Sequence, residues 1–484
     1  MNVRLVLKTM GKLLVIEAIL LLLPLLVSLI AKENTWLSFV TPIACLVGVG
    51  LPLSFIKLKE RKMYIREGFV IVAFTWILYS LVGAVPFVMS GSIPKYENAL
   101  FEMVSGFTTT GASILSNVEA LPKSMLFWRS FSHWIGGMGV LVFVLAILPK
   151  SDSGAVHMFR AESPGPNVGK LVSKLKSTAL ILYAIYAVMT LVMFVMLAPC
   201  PEVSAFDSLL ISFGAAGTGG FAPTNASIGA FNSVYVEMVV AVFMFLFSLN
   251  FNFYYLLLMR QFKKAFRSEE IIGYFAIVVG ATLAIALNIM DSCANFGEAI
   301  RYSFFHVTSI SSTTGYTSLD YNSWPLFSRV LILVLTAIGS CAGSTGGGLK
   351  MARMIIMGKS TVGDIRKLSR PRQVITLRYE GEVLDDATIR NTRVVVVSWL
   401  FCLVGTTLLL SLDSYANGDM LTNFSAALTC LANVGPGLNG VGPAANFSGF
   451  STFSKLMLSF DMLAGRLEFL PIIALFRPKT WTRA

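Results

Sequence analysis

Gly106-Phe107-Thr108-Thr109-Thr110-Gly111-Ala112-Ser113 is a cluster of small and hydroxyl residues lying between two apolar segments, and the chain returns to it. The echoes are Ala216-Gly217-Thr218-Gly219-Gly220-Phe221, Ser312-Thr313-Thr314-Gly315-Tyr316-Thr317 and Ala432-Asn433-Val434-Gly435-Pro436-Gly437. Aligned on one glycine each, they place Gly111, Gly219, Gly315 and Gly435 in register, at intervals of 108, 96 and 120 residues. One Thr/Gly cluster reads as a turn. Four at a near-constant period read as one structural unit used four times, and that settles the architecture first.

Each motif follows an apolar segment too short to cross a bilayer: Glu97–Phe107, Glu202–Ala215, Glu298–Ile310 and Asp419–Leu431. On either side stand runs near the 20 or so residues a span needs. The first helix of each repeat is expected to end near Met89, then to occupy Thr178–Ala198, Ile271–Met290 and Val394–Leu412. The second is expected at Ser124–Leu148, Ser233–Leu258, from Pro325, and at Thr452–Phe476. Helix, half-length helix, polar loop, helix is a re-entrant hairpin, and its non-helical backbone survives at membrane depth only if protein buries it or it lines a watery cavity. Two further helices, Leu13–Ile30 and Trp36–Phe55, precede the repeats and carry no motif. The fold class expected is an all-α polytopic membrane protein of ten transmembrane helices, with four such repeats in pseudo-fourfold arrangement plus an N-terminal helix pair. The units run 1–66, 67–176, 177–270, 271–391 and 392–484.

Composition agrees. The 484 residues are 55% apolar and 13% charged, with a mean hydropathy of +0.73, against about a quarter charged in a soluble domain. The net charge of +12 would suggest nucleic acid in a soluble chain. Here, 30 of the 38 Lys and Arg residues fall in segments 1–12, 57–66, 150–176, 260–267, 350–393 and 477–483. Those segments all lie on one side of the expected helices, so the charge reads as topology, with both termini cytoplasmic and all four hairpins dipping from outside. The first apolar run has no small-residue cleavage site after it and is expected to be a retained helix.

No enzyme is expected, since no nucleophile, base and acid come together. Cys45, Cys200, Cys293, Cys341, Cys402 and Cys430 are scattered singly, without metal spacing. Cys200 and Cys293 fall in equivalent outer loops, which leaves a bridge open beside two packed thiols. His133, His157 and His306 read as structural residues.

What the repeat can do follows from its chemistry. A dehydrated cation needs several converging oxygens, which backbone carbonyls supply when a strand-like segment turns them to one axis. Glycine reaches the dihedrals such a segment needs, and Thr or Ser hydroxyls add oxygens or satisfy amides. Each short helix would point the negative end of its dipole at the site. Four helix-capping turns are the bland alternative; they explain the glycines but not four short segments of one kind on one side.

This fourfold plan, with a single glycine per quadrant, resembles the Trk/Ktr/HKT superfamily of potassium transporters, and the N-terminal helix pair is similar to its TrkH type over the whole chain. The resemblance implies potassium uptake across the cytoplasmic (inner) membrane of a bacterium through a channel-like pore. The filter it implies is Thr108, Thr109, Thr110, Gly111; Ala216, Gly217, Thr218, Gly219; Ser312, Thr313, Thr314, Gly315; and Ala432, Asn433, Val434, Gly435. Glycine in all four quadrants goes in that superfamily with potassium preference; the fourth quadrant departs from Thr-Gly, with Asn433-Val434 ahead of its glycine. The ion is cargo, bound at these residues alone, and no covalent cofactor is implied.

The second helix of the third repeat is interrupted by Gly339-Ser340-Cys341-Ala342-Gly343-Ser344-Thr345-Gly346-Gly347-Gly348-Leu349-Lys350. Three consecutive glycines should break a helix, and Lys350-Met351 does not complete a phosphate-binding P-loop. Close helix packing is one reading. The resemblance implies another, an intramembrane gate at Gly343, Ser344, Thr345, Gly346, Gly347 and Gly348. Arg466 lies within the expected last helix, where a charge defaults to function. It either pairs with Asp461 or Glu468, or faces the pore as family arginines do. Lys350 either joins it or anchors its helix at the cytoplasmic surface.

The ten basic residues of 350–393 read as topology or as contact with anionic lipid. The resemblance adds docking of a cytoplasmic ring of nucleotide-binding RCK domains (TrkA-like), with NAD or ATP on that partner, and a homodimer with one pore per chain. The rival reading of function is an ion-coupled (H+ or Na+) potassium symporter. Broken helices in inverted repeats are usual there, whereas these repeats all run the same way. A purely structural membrane protein is the other rival, and it would not need four filter quadrants.

Overall fold

Apolar runs without interior charge leave the backbone no partner but itself, so helix is the form they take in lipid. The computed structural model describes residues 1–58, 64–139, 175–370, 376–413, 419–476 and 478–481. In these the regular secondary structure is all helix, apart from a hairpin pairing Arg378–Tyr379 with Glu382–Val383.

Helices α1 (Val3–Ile30) and α2 (Trp36–Ser54) form the N-terminal pair. They approach so closely at Gly11 and Gly50 that a Cβ on Gly11 would stand 2.7 Å from the Gly50 carbonyl oxygen, the small-residue contact membrane helices use. Glu33, in the turn between them, accepts from the backbone amide of Lys123 at 2.7 Å and from the Ser124 hydroxyl at 2.5 Å. The pair is thereby pinned to the start of the first repeat's second helix.

The repeats follow. The first holds α3 (Ile65–Gly83) continued by α4 (Val85–Met89), then α5 (Tyr96–Phe107) and α6 (Lys123–Gly137). The second holds α7 (Leu175–Leu197), α8 (Ala205–Gly217), α9 (Val234–Ser248) and α10 (Phe251–Leu258). The third holds α11 (Glu269–Ile289), α12 (Phe296–Ser311), α13 (Leu326–Ile338) and α14 (Met351–Ser369). The fourth holds α15 (Asp386–Leu410), α16 (Met420–Ala432), α17 (Thr452–Arg466) and α18 (Leu470–Phe476). Among the described residues six helices are long and apolar enough to cross a membrane, and α9 with α10 makes a bent seventh. The remaining expected spans are represented by α6, α13 and α17, of 15, 13 and 15 residues.

The second helices correct the expectation of unbroken spans. Ser233–Leu258 bends by 88°. Leu249 leaves the helix in an extended conformation and Asn250 caps the next, accepting from Asn252 N–H at 2.9 Å. Thr452–Phe476 stops at Arg466, because Glu468 and Phe469 take positive φ of 53° and 65°. Arg466 is thus the last residue of its helix rather than an interior one. In the first repeat α6 ends at Gly137; the rest of the expected Ser124–Leu148 helix, the basic stretch through 174 and His157 lie outside the described residues, as do 59–63 and 371–375 of the other basic loops. All six cysteines are free, so Cys200 and Cys293 form no bridge; the Cys200 thiol donates instead to Glu202 at 2.8 Å.

Candidate functional site

The four short helices end in one way. Each is followed, within two residues of its end, by a residue in the left-handed region: Thr109 (φ 55°), Thr218 (53°), Thr313 (62°) and Asn433 (55°). The following amide then turns back onto the helix, Thr110 N–H to Ser105 O, Gly219 to Gly214, Thr314 to Ser309 and Val434 to Thr429, at 2.8–2.9 Å. This is a helix-terminating Schellman-type cap. A branched or amide side chain in the left-handed region costs roughly 1–2 kcal/mol, and four such residues recur at equivalent places.

After each cap, one residue on, comes a glycine with positive φ: Gly111 (79°), Gly220 (77°), Gly315 (80°) and Gly435 (95°). This corrects the register of the second repeat. Gly220, not Gly219, is the counterpart of Gly111, and Ala216 falls back inside α8. The quadrant therefore runs Gly217 to Gly220. Gly219 takes the place of Thr110, and a Cβ on it would meet the His133 ring at 2.3 Å.

The four glycines form a closed ring. A Cβ on Gly111 would lie 2.0 Å from the Gly219 carbonyl oxygen, one on Gly220 2.0 Å from that of Thr314, and one on Gly315 2.0 Å from that of Val434. The circuit closes where a Cβ on Gly435 would lie 2.6 Å from the Thr110 oxygen. Each repeat touches the next in turn, with carbonyls at every seam. Hydroxyls lace two opposite quadrants: Thr108 to Thr110 at 2.8 Å and Ser312 to Thr314 at 2.7 Å. Asn433, placed where the other repeats have Thr, donates across the closing seam to the Thr110 hydroxyl at 2.9 Å.

On one side the ring opens into a cavity of about 150 Å³ whose lining includes Gly111, Gly220, Gly315 and Gly435. Arg129, buried and part of that lining, bonds Glu102 at 2.6 Å and the Ala222 carbonyl at 3.1 Å, and stacks 3.5 Å over the Phe221 ring. Glu102 also accepts from Ile114 N–H at 3.0 Å. Charge is thus neutralised and locked between the first two quadrants. Tyr316 braces the second quadrant, donating to the Ile211 carbonyl at 3.0 Å.

On the other side lies the loop from Gly339 to Lys350. Gly347 N–H donates to the Thr313 hydroxyl at 2.6 Å, and a Cβ there would stand 2.4 Å from the Ala432 carbonyl oxygen. A Cβ on Gly346 would stand 2.5 Å from the Ser312 oxygen. Gly346 and Gly347 therefore seat against the ends of two short helices, where a side chain would not fit. Gly343 accepts from Phe251 N–H at 3.0 Å and the Thr345 hydroxyl donates to Phe247 O at 3.2 Å, fixing the loop to the bend between α9 and α10. The Ser344 hydroxyl donates to Cys341 O and pairs with that of Ser340 at 2.9 Å. Gly348 (φ 78°) packs on Gly339 (φ 72°), closing the neck of the loop.

Arg466 spans this loop and the first repeat. It donates to the Thr345 carbonyl at 2.8 Å and to those of Gly136 and Gly137 at 2.5 and 2.8 Å. The acids proposed to pair with it bond elsewhere: Glu468 with Arg353, and Asp461 with the Thr406 hydroxyl at 3.0 Å. Lys350 is buried, with φ 74°, and its ammonium turns back to the Gly346 carbonyl.

A four-sided ring of helix ends with a cavity above and a loop below is the arrangement that the family match decides. The cation transport protein family TrkH matches residues 38–483. The chain belongs to that family. It is 34% identical to "Trk system potassium uptake protein TrkH" of Escherichia coli (strain K12), covering 99% of this chain and 100% of that protein. It is 33% identical to the protein of that name from Salmonella typhimurium, again over 99% and 100%. The crystal structure of the potassium transporter TrkH from Vibrio parahaemolyticus matches with a TM-score of 0.88 at 30% identity, over all of both chains. This TrkH-family chain is an integral membrane protein.

In this family member the structure brings together all four motifs, the Gly339–Lys350 loop and Arg466. Sequence reasoning missed Glu102, Arg129, Asn250 and Glu270. A signal existed for the first two, a buried-type Glu and Arg flanking the first motif; Asn250 stood out only as Asn in an apolar run. His133 and His306 are structural, bonded to the carbonyls of Gly106 at 2.7 Å and Tyr302 at 2.9 Å. Among the described residues no cluster of three metal-ligating side chains occurs.

Proposed function

We propose that this chain takes potassium ions into the cell through a channel-like pore built within one chain. The closed ring of Gly111, Gly220, Gly315 and Gly435 against the carbonyls of Gly219, Thr314, Val434 and Thr110 carries the reading. Thr108–Gly111, Gly217–Gly220, Ser312–Gly315 and Ala432–Gly435 act as a selectivity filter of backbone carbonyls, replacing the hydration shell of the ion. The dipoles of α5, α8, α12 and α16 favour a cation at their C-terminal ends. The names of the relatives, potassium uptake proteins of a Trk system, support the substrate.

Gly343–Gly348 is the gate, held beneath the filter with Lys350 and Arg466 contributing positive charge in the path. Such charge opposes a cation strongly where water is scarce. The basic segment from Lys350 onward faces the cytoplasm and docks a regulatory ring that carries the nucleotide, and two chains associate, each with its own pore. Both termini are cytoplasmic, in the inner membrane of a bacterium.

The test is cation flux into liposomes holding this chain alone, comparing potassium, rubidium, sodium and lithium. Passive flux selective for potassium and rubidium, following the imposed potential, is expected. Flux that needs a second ion gradient would make the chain a symporter. Absence of flux, persisting after the nucleotide-binding ring is added, would sink the pore reading.

A further inference from the structure

Glu270 is buried at 2% exposure in the first turn of α11, at the end of that helix away from the cavity. Its Oε1 accepts from two amides that lie on opposite sides of the Gly343–Gly348 stretch, Ala342 N–H at 2.6 Å and Ala352 N–H at 3.2 Å. One carboxylate oxygen therefore fixes the spacing between the loop's entry and exit. Its other oxygen faces the Asn250 amide at 3.5 Å, at the bend of the second repeat. A charged acceptor makes the stronger kind of hydrogen bond, and burial leaves these amides no water to turn to.

The same flanks carry a second load. Ala342 and Ala352 pack with Ile356 against Tyr379, buried at 3% in the Arg378–Val383 hairpin. The hairpin turns at Glu380 (φ 51°) and Gly381 (φ 77°), the two positive-φ positions of a tight hairpin turn. Glu380 then reaches the start of α11, accepting from the Ser268 hydroxyl at 2.7 Å and Glu270 N–H at 3.1 Å. Lys359 of α14 ties the hairpin further, donating to the Arg378 carbonyl at 2.9 Å and pairing with Glu269. Hairpin, start of α11 and loop flanks thus form one connected body.

We infer that Glu270 is the positioning residue that holds the loop in its seat, and that the hairpin bearing Tyr379 and Glu380 is the lever through which the face opposite the cavity moves it. The inference rests on the loop being the gate, as proposed above.

Liposome flux separates the two. A chain shortened at Gly346–Gly348 measures what an unseated loop allows; no rise there defeats the gate itself, and the lever with it. Given a rise, Glu270→Ala is expected to increase flux by about tenfold or more, tenfold being the effect of losing a single charged hydrogen bond where two amides lose their acceptor, with the potassium-to-sodium ratio unchanged. Glu270→Gln, which keeps an acceptor at Oε1, is expected to restore most of the seated state. Glu380→Ala is expected to raise flux by a smaller factor. Adding Glu270→Ala to the shortened loop should add nothing. If the alanine variant does not extract as a monodisperse species, Glu270→Asp, a methylene short of both amides, decides in its place. Unchanged or lower flux in folded Glu270→Ala or Glu270→Asp, a rise with glutamine equal to that with alanine, or a rise with lost selectivity overturns the positioning role. Wild-type flux in Glu380→Ala overturns the lever.

Discussion

The Cα of Gly220 lies against the carbonyl oxygen of Thr314 so closely that a methyl group would stand 2.0 Å from it. Its neighbour Gly219 is crowded by a side chain instead, the His133 ring. The two glycines are adjacent, yet only Gly220 combines positive φ with a carbonyl from the next repeat.

Gly220→Ser is therefore expected to lower potassium-over-sodium selectivity by about tenfold or more, as is Gly111→Ser, since backbone geometry at the seam must give. Gly219→Ala is expected to be relieved by a second change, His133→Ala, and Gly220→Ala is not. Permeability ratios in liposomes read both. Equal rescue of the two glycines would return the register to Gly219.

Gly347→Ala places a methyl 2.4 Å from the Ala432 oxygen, backbone that has nowhere to go. The loop is expected to leave its seat, raising flux of the chain alone several-fold. Gly358→Ala, with open space around its Cβ in α14, is the control and should conduct as the parent does.

Arg466→Ala removes the donors to Thr345, Gly136 and Gly137 at once. Basal flux is expected to rise. Arg466→Lys keeps the charge but not the planar fork that reaches both partners, so an intermediate value is expected if bridging and charge both matter. Flux equal to that of the parent in both variants would remove Arg466 from the gate.

Glu102→Ala leaves the buried Arg129 guanidinium without its carboxylate. A loss of about 3–5 kcal/mol is expected, read as a fall in unfolding midpoint in detergent. A drop confined to selectivity, with the midpoint unchanged, would assign the pair to the ion path instead.

The fourfold plan was legible because four short apolar segments and four Thr/Gly clusters recur, and no average sequence does that. The short helices fell within a few residues of expectation. The register of the second quadrant slipped because two glycines stand side by side. Gly220-Phe221 matches Gly315-Tyr316, glycine then aromatic, and aligning on that pair gives the observed register. The breaks were less legible. Gly339 to Gly348 announced itself by composition, but Glu468 and Phe469 adopt positive φ with no residue type to betray it. That turn is imposed by tertiary packing, with Gly465 seated on the Leu431 carbonyl. Glu270 was invisible for another reason. Its amide partners lie 72 and 82 residues away and carry no side-chain signature.

Because the four seams of the ring belong to one polypeptide, they need not be alike, and here they are not: Asn433 to Thr110 at one, hydroxyl pairs in two quadrants, a histidine behind another. In an assembly of four identical subunits any substitution is felt four times over. Here a single codon change perturbs a quarter of the ring, so under the proposed filter discrimination between ions can drift by small increments while the other three quarters keep their geometry.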